Sequence, residues 1–463
     1  MVFSASIYFI ISSIIIILLI AKKFDLLQAY IFLLPFHSWY YNLGLNLATS
    51  QIIILVMIAK QVFLIPKKNN YFLFLGNNFV SLFLLYSILI TMIISAIYND
   101  TFIDAGGWLR SEGRFISQII MLVFSFSIIP LFFIYIKKTD QIKHYLKTYL
   151  LSILILSILG WIQLFVFYFT EHDIFPLAID ESGVIRSGVW QVAGINFFRM
   201  SSLGGEPKNL SISLVLGFFI LKSFNNEKIL FFKKYDNLIK LVFILSLIVT
   251  ASTSGMVLLA ILFAASLLLD RLIKPSFIKP KISKINFFHA SFYTVIIIFV
   301  AIKYWDYINI FLQARIFERN ITSEDFDYPI QEFLKNNFGF ISTGVGLGNV
   351  HNFAFSYIPN ETMHYMKNTI FVAKSGYLKI ISETGIIGLM LFLSIPFSLF
   401  YKIKKRLNEN LLSTEAKVVV KPLLVSLMLF LLAFLARSYC FNEYLFILSM
   451  CFTIVSFKNV QIQ

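Results

Sequence analysis

The sequence predicts an all-α integral membrane protein that crosses the bilayer many times. Of its 463 residues, 58% are hydrophobic and only 14% are charged, and the mean hydropathy is +0.81. Soluble domains are about half apolar and a quarter charged, so this composition excludes a soluble globular protein. Apolar runs recur along the whole chain, and we therefore expect one integral membrane domain over residues 1–463.

The apolar runs set the expected number of membrane-spanning helices. Because a helix needs roughly 20 residues to cross the hydrocarbon core, we expect about 12 to 14 spans. The first run has no basic residue before it and no small-residue cleavage site after it, so we expect a retained helix there instead of a signal peptide. The runs lie near 5–21, 24–36, 49–65, 77–97, 114–136, 148–169, 207–224, 238–252, 254–269, 287–303, 377–400, 422–437 and 441–457.

The lysines predict which loops face the cytoplasm. Lysine-rich loops alternate along the chain with lysine-poor ones, and basic residues concentrate on the cytoplasmic side of membrane proteins. This rule places residues 22–23, 60–68, 137–147, 222–240, 271–284, 402–421 and the C-terminus in the cytoplasm. The loops near 98–114, 170–206, 304–376 and 437–442 are then outside, and 304–376 is the large outer loop.

The arginines follow the opposite distribution. Seven of the nine fall in the predicted outer segments: Arg110, Arg114, Arg186, Arg199, Arg315, Arg319 and Arg437. A guanidinium is always charged and offers a planar fork that matches phosphate oxygens. The pattern favours a phosphate-bearing ligand at the outer face. The alternative is that these arginines pair with the 17 carboxylates of the predicted outer side, which include Glu383 and Glu443 at the ends of two spans.

The stretch FFRMSSLGGEPKNLS, residues 197–211, precedes one of the spans. Pro207 suits a first helical turn because its missing N–H would be unpaired there. Glu206 lies directly before Pro207, where the helix dipole stabilises a negative charge. Helix starts also suit anions, and Arg199 lies one short turn away.

The large outer loop contains two further patterns. Arg315 and Arg319 are four residues apart, so a helix would place both cations on one face, where an anionic partner is the natural explanation. The segment G-V-G-L-G at 344–348 lacks the strand–helix context of a phosphate loop, and we expect a turn that passes close under a ligand at Gly346. His351 follows it, either as a solvated loop histidine or as a catalytic group.

A metal site is not expected. Asp325-x-Asp327 is the pattern with which soluble nucleotide-sugar transferases bind a metal, but the α/β domain that carries it is missing, so an acidic loop is the stronger interpretation. The sequence has no Cys/His ligand cluster. Cys440 and Cys451 form no framework for disulfides or metal. We expect neither a metal nor a cofactor.

The stretch AKSGYLKIISETGIIG, residues 373–388, runs from the outer loop into a span. It places Lys374, Glu383 and two glycines, Gly385 and Gly388, near the start of the predicted span. A helix that only crosses the bilayer needs none of these residues. Glycines three apart allow close approach of a neighbouring helix or lipid chain. A carboxylate near the membrane boundary is costly unless it is paired.

Taken together, these features resemble the bacterial O-antigen polymerases (Wzy) and the related O-antigen ligases. Arg199 to Pro207 is similar to the family's R-x-x-G-x-x-x-P pattern, although the spacing differs. The Arg-bearing segment followed by G-V-G-L-G is similar to their large outer loop. Ligases and many polymerases carry His-[Asn/Ser/Gln], nine residues and G-x-x-G; here Lys374-Ser375 precedes Gly385-Ile-Ile-Gly388. Lysine in place of histidine favours a polymerase over a ligase.

The resemblance implies a GT-C-like fold and a glycosyltransferase active on the periplasmic face of the bacterial inner membrane. The substrates would be undecaprenyl-diphosphate-linked oligosaccharides in membrane lipid, with a chain-length regulator and a flippase as further partners and no nucleic acid. Arg199, Arg315, Arg319, Glu206 and His351 are the expected catalytic residues. Lys374, Glu383, Gly385, Gly388 and Gly346 are the expected substrate-binding residues. The alternatives are a ligase that transfers glycan to lipid A-core, a lipid-linked-glycan transporter and a non-catalytic scaffold.

Overall fold

A computed structural model describes the protein as predominantly α-helical, as the sequence predicts. The described residues are 14, 17, 19, 25–36, 40–42, 46–63, 78–98, 111–175, 189–192, 195–226, 231–252, 254–263, 327–360, 373, 375–409, 411–435 and 441–456. Two short antiparallel hairpins join the helices. All but three residues of the predicted span at 5–21, and the whole predicted span at 287–303, lie outside this part of the chain, as do Arg315, Arg319 and Lys374.

The elements follow one another along the chain with these bounds. The first half contains α1 Leu26–Leu33, β1 Tyr40–Asn42, β2 Asn46–Ala48, α2 Thr49–Phe63, α3 Asn78–Tyr98, α4 Ser111–Phe126, α5 Ile128–Tyr135 and α6 Thr139–Thr170. The second half contains β3 Val189–Val192, β4 Ile195–Phe198, α7 Pro207–Asn226, α8 Asp236–Val249 and α9 Ser254–Phe263. It continues with α10 Asp327–Asn336, α11 Phe338–Thr343, α12 Val350–Ala354, α13 Gly376–Asn408, α14 Thr414–Ala433 and α15 Phe441–Ser456.

Five helical segments of the described chain are long and apolar enough to cross a membrane. They are Phe79–Tyr98, Phe115–Tyr135, Thr139–Thr170, Gly376–Asn408 and Ala416–Ala433. Shorter apolar helices accompany them at Ser50–Gln61, Ser254–Phe263 and Phe441–Ser456. The protein is therefore an α-helical membrane protein.

Three helices extend further into the predicted cytoplasmic loops than their apolar runs indicated. Helix α6 begins nine residues before the predicted span, because the Gln141 side chain accepts hydrogen bonds from the backbone of Lys137 and Lys138. Helix α14 begins at Thr414 instead of 422, because the Ser413 hydroxyl caps it by accepting from Ala416 N. Helix α13 continues to Asn408 through its lysines. Helical turns that extend beyond the bilayer are rich in charged residues. They have no hydrophobic signature, so the apolar runs did not predict them.

An aromatic cluster joins the three C-terminal helices. Phe392 of α13, Phe434 at the end of α14, and Phe441 and Tyr444 of α15 pack with ring centroids 5.2–6.4 Å apart. Helix α14 also packs on α7 and α15 packs on α5, which ties this group to the first half of the chain. A second, smaller apolar cluster lies in the predicted outer loop; its members are Ile330, Phe333, Leu334, Val345, Val350, Ala354, Ile358 and Ala373.

Helix α13 is broken near its start. Gly385 has φ 68° and ψ −174°, which no helix contains, so α13 consists of an upper half, residues 376–384, and a lower half, residues 386–408. The upper half is held at its beginning by the end of α14, where the Phe434 carbonyl accepts from Gly376 N at 2.8 Å and from the Ser375 hydroxyl at 3.2 Å. This break positions the candidate site.

Candidate functional site

The G-V-G-L-G segment, called here the glycine loop (residues 344–348), is bonded to the broken part of α13. Val345 N donates to the Ser382 carbonyl at 2.9 Å, and Gly346 N donates to the Glu383 carbonyl at 2.8 Å. In an unbroken helix those carbonyls would accept from the residues four positions ahead. The loop therefore supplies the two hydrogen bonds that the break at Gly385 removes.

Glycine is required on both sides of this junction. Gly344, Gly346 and Gly348 have φ values of 76°, 86° and 77°, a region that other residues rarely adopt. A Cβ on Gly344 would overlap the Glu383 carbonyl group, and a Cβ on Gly385 would overlap the Ser342 carbonyl group. The pattern that resembled a phosphate loop is thus explained by the contact between two backbones.

Glu383 faces the glycine loop. It is 8% exposed, and its Oε1 accepts from Gly348 N at 3.3 Å. Its described partner is thus a backbone N–H. A carboxylate bound in this way is a structural acceptor that fixes the end of the loop.

Helix α3 forms the other wall of the glycine loop. The Thr91 hydroxyl accepts from Leu347 N at 2.8 Å, and Asn349 Nδ2 donates to the Ser95 hydroxyl at 3.1 Å. Neither Thr91 nor Asn349 was singled out from the sequence, because a single Thr or Asn beside apolar residues has no distinctive pattern.

The glycine loop lies alongside α3 and not beyond its end. Tyr98 at the end of α3 packs against Phe340 and Phe353, while Tyr86, twelve residues earlier, donates to the Thr343 carbonyl at 3.1 Å. Twelve residues are about 18 Å of helix. Part of the predicted outer loop therefore runs down beside a candidate span, where irregular backbone is tolerated only when protein groups satisfy it.

His351 and Gly388 occupy the same neighbourhood. His351 is 2% exposed in α12, and its ring meets Phe355 edge-on at 5.8 Å. The interpretation of His351 as a solvated loop histidine is wrong, because α12 folds into the small apolar cluster. A Cβ on Gly388 would overlap the Thr384 side chain of the same helix and lie 3.4 Å from Tyr86 of α3, an ordinary contact distance.

Arg199 and Glu206 lie in a second neighbourhood, built on α6, α7 and α8. Arg199 is half-buried, and its Nε donates to the Thr250 carbonyl at 3.3 Å. Pro207 is the first residue of α7, as predicted, and the carbonyl of Glu206 accepts from Asn209 N at 2.9 Å. Glu206 therefore stands at the start of the helix, where the dipole favours its charge.

Gln163 of α6 holds the loop that carries Arg199. Its Oε1 accepts from Ser202 N at 2.7 Å and from Ser201 N at 3.3 Å. Its Nε2 donates to Asp173 Oδ1 at 2.8 Å and lies 3.3 Å from the Ser201 hydroxyl. Gln163 is fully buried, so this amide is a dedicated anchor for two loops at the end of α6.

Helix α6 is shaped to receive the same loop. Gly160, one turn before Gln163, leaves room for Met200, whose Sδ would lie 2.5 Å from a Cβ at that position. Burial raises the pKa of the Asp173 carboxyl above its usual value, an effect that the bonds from Gln163 and Phe175 N oppose. A glutamine inside an apolar run was the sequence signal for this anchor, and it was missed.

A third buried polar group, Glu443, lies in α15. It is 2% exposed, and its Oε1 is 3.5 Å from the Ser213 hydroxyl of α7. Its neighbour Tyr444 contacts Phe392 of α13. Helix α15 thus contacts both α7, which begins directly after Glu206, and α13, which carries Glu383. The sequence offered a signal here too, a carboxylate within an apolar run.

The structure assembles five of the predicted residues into one neighbourhood: Gly346, His351, Glu383, Gly385 and Gly388. It places Arg199 and Glu206 in the second. Within the described segments, no group of three or more His, Cys, Asp or Glu side chains is arranged to hold a metal ion. Asp327, of the Asp-x-Asp pattern, is the first residue of α10. The chain matches no protein-family model, and no curated protein matches it.

Proposed function

We propose that the protein is an O-antigen polymerase of the bacterial inner membrane. It joins undecaprenyl-diphosphate-linked oligosaccharide repeat units on the periplasmic side and releases undecaprenyl diphosphate. In this proposal the chain has about 12 to 14 spans in a GT-C-like arrangement, and residues 304–376 are its large periplasmic loop. The observation that carries the proposal is the broken helix α13, with polar backbone alongside candidate spans and an apolar flank open to lipid.

The flank is formed by the side chains that follow the break. Ile386, Ile387 and Met390 are exposed on the lower half of α13. A lipid-linked substrate has to bring its polyprenyl chain to the protein from within the bilayer, and this face gives that chain an apolar route. The glycine loop is bonded to α13 directly before these residues, and we propose that the diphosphate arrives beside it.

Charge stabilisation is the chemistry that the reaction needs. A sugar hydroxyl of one unit attacks the anomeric carbon of the other, the bond to the diphosphate oxygen breaks, and negative charge gathers on the leaving group. Fixed cations aimed at that group stabilise the transition state more than the ground state. Arg199, Arg315 and Arg319 are the proposed diphosphate ligands, with Lys374 as a further one. No metal has to take part.

The proton of the attacking hydroxyl needs an acceptor. Glu206 and His351 are the two candidates, and the surroundings of Glu206 favour it. Glu206 is only partly buried at the start of α7, in the neighbourhood of Arg199, whereas His351 is packed into the small apolar cluster. Glu383 is assigned to holding the glycine loop, because its carboxylate already accepts from Gly348 N.

A gene-deletion glycan profile tests the proposal. We expect cells without the protein to retain one repeat unit on lipid A and to lose the long chains. Loss of every repeat from lipid A, together with accumulation of lipid-linked polymer, would identify a ligase instead. Reintroduction of the wild-type chain must restore the long chains.

A transporter of lipid-linked glycan is the second candidate, and the same break favours it. Discontinuous helices form the binding sites of many secondary transporters. In that case, deletion would leave lipid A without repeats and trap single lipid-linked units on the cytoplasmic leaflet. Deletion of a transporter would therefore leave no polymer on the carrier lipid, whereas deletion of a ligase would leave polymer there.

A further inference from the structure

Two buried oxygens at the Gln163 anchor have no hydrogen-bond partner among the described residues. They are Asp173 Oδ2 and Ser202 Oγ. Ser202 is 2% exposed, and its φ of 53° holds the residue in a left-handed conformation. Buried polar atoms are almost always satisfied by protein, water or an ion, so this pair implies an occupant.

The two residues that carry these atoms are joined by one side chain, the Gln163 amide. Asp173 Oδ1 and Ser202 N bond the two ends of the same Gln163 amide, at 2.8 Å and 2.7 Å. The Phe175 carbonyl lies 3.4 Å from Gln163 Nε2 and adds a third oxygen. An occupant held between these residues would have a carboxylate, a hydroxyl and a main-chain carbonyl as its available oxygens.

The carboxylate gives this cluster a negative charge, so we expect its occupant to be a cation. The described hydrogen bonds of Asp173 come from an amide and a backbone N–H, which are neutral donors. Desolvation raises the pKa of the Asp173 carboxyl, and the described groups that act on it include no cationic side chain. The exposed Glu171, two residues earlier in the chain, is a second carboxylate near Asp173. Asp173 is partly buried, and a carboxylate withdrawn from water is stabilised by a counter-charge.

The number of charged oxygen ligands indicates that this cation is monovalent. Calcium sites usually offer several carboxylates, and their affinity follows the count of charged ligands. This cluster offers one carboxylate and neutral oxygens, which balance a single positive charge. We propose that Asp173, Ser202 and the Phe175 carbonyl bind a sodium ion that braces the loop carrying Arg199.

The test is thermal unfolding of the purified full-length protein in detergent. Sodium chloride is titrated against choline chloride at constant ionic strength and pH. An ion that binds only the folded state raises the midpoint, and we expect a saturable rise of about 2 °C or more for a protein of this size. Asp173→Asn should abolish the rise, and Ser202→Ala should weaken it.

Asp140→Asn is the matched control, because Asp140 is an exposed carboxylate in the first turn of α6, at the opposite end of that helix from Asp173. It should respond to sodium as the wild type does. An equal rise in Asp173→Asn, or no rise in the wild type, would overturn the proposal and leave water as the occupant. A midpoint that follows pH but not sodium would assign a bound proton instead and would overturn it too. None of these readouts depends on polymerase activity.

Discussion

At the scale of single residues, the glycines of the junction are the most constrained part of the site. Gly385 combines a backbone conformation that is almost restricted to glycine with direct contact to the Ser342 carbonyl. Gly339, in the neighbouring α11, has no heavy atom within 4 Å of an added Cβ. The two positions differ in what surrounds them, although both glycines lie in or beside helices.

We predict opposite effects of alanine at these two positions. Gly385→Ala should destabilise the folded protein by about 3 kcal/mol or more, from the backbone conformation and the overlap together. Gly339→Ala should be neutral or stabilising by up to about 1 kcal/mol, because alanine is the better helix former. Thermal unfolding in detergent measures both. A wild-type midpoint for Gly385→Ala would mean that α13 can close into a continuous helix.

Arg199 gives a prediction on activity. A charge-assisted hydrogen bond contributes about 1.5–3 kcal/mol, and a tenfold change in rate corresponds to about 1.4 kcal/mol. We expect Arg199→Lys to lower polymer formation roughly ten- to a hundredfold, because an ammonium lacks the planar fork. Arg199→Ala should lose more, and Arg315 and Arg319 variants should behave alike.

The readout is polymer made per folded molecule, which separates a ligand from a structural arginine. A structural Arg199, needed only for its bond to the Thr250 carbonyl, would reduce the amount of folded protein and leave the activity of each molecule intact. Arg406→Lys, at the opposite end of α13, is the control and should keep full activity. Normal activity per molecule in all three alanine variants would refute the diphosphate site.

At the scale of helices and loops, the apolar runs predicted where the helices lie. The geometry of the candidate site depends instead on contacts between segments that are distant in the sequence. The stretch G-I-I-G in α13 belongs to an apolar run and is compatible with a continuous helix. Its break depends on Ser342 and Thr343, about forty residues earlier in the chain, and no local pattern contains that contact. Glu383 and Gly388 were predicted as site residues for the same stretch, but their neighbours Thr91 and Tyr86 were not.

The position of the glycine loop beside α3 can be tested by crosslinking. In a background with Cys440→Ser and Cys451→Ala, Ser95→Cys and Asn349→Cys should be joined by a short bifunctional thiol reagent, because these side chains bond each other at 3.1 Å. Ile97→Cys with Asn349→Cys is the control, since Ile97 is 65% exposed two residues further along α3. Equal crosslinking of both pairs would contradict a fixed loop.

At the scale of the whole molecule, the lysine and arginine distributions predict one orientation. The loop at 222–240 should face the cytoplasm and the segment 304–376 the periplasm. Ser356 and Lys234 are exposed residues of these two segments. In a cysteine-free background, a membrane-impermeant maleimide applied to intact cells should label Ser356→Cys and not Lys234→Cys.

Permeabilised cells provide the control for this experiment, because both cysteines should then react. Labelling of Lys234→Cys alone in intact cells would reverse the orientation. The proposed periplasmic reaction would fall with it, because the glycine loop and Arg199 would then face the cytoplasm.

The broken helix also has a consequence for how the chain is assembled during synthesis. The Ser382 and Glu383 carbonyls are satisfied by the glycine loop, so the upper half of α13 is poorly suited to lipid on its own. Both of its supports, α3 and the glycine loop, precede it in the sequence and leave the ribosome first. The Phe434 carbonyl, which holds Gly376, arrives last. The order of translation thus lets α13 dock at its break as it emerges, and α14 then fixes its beginning.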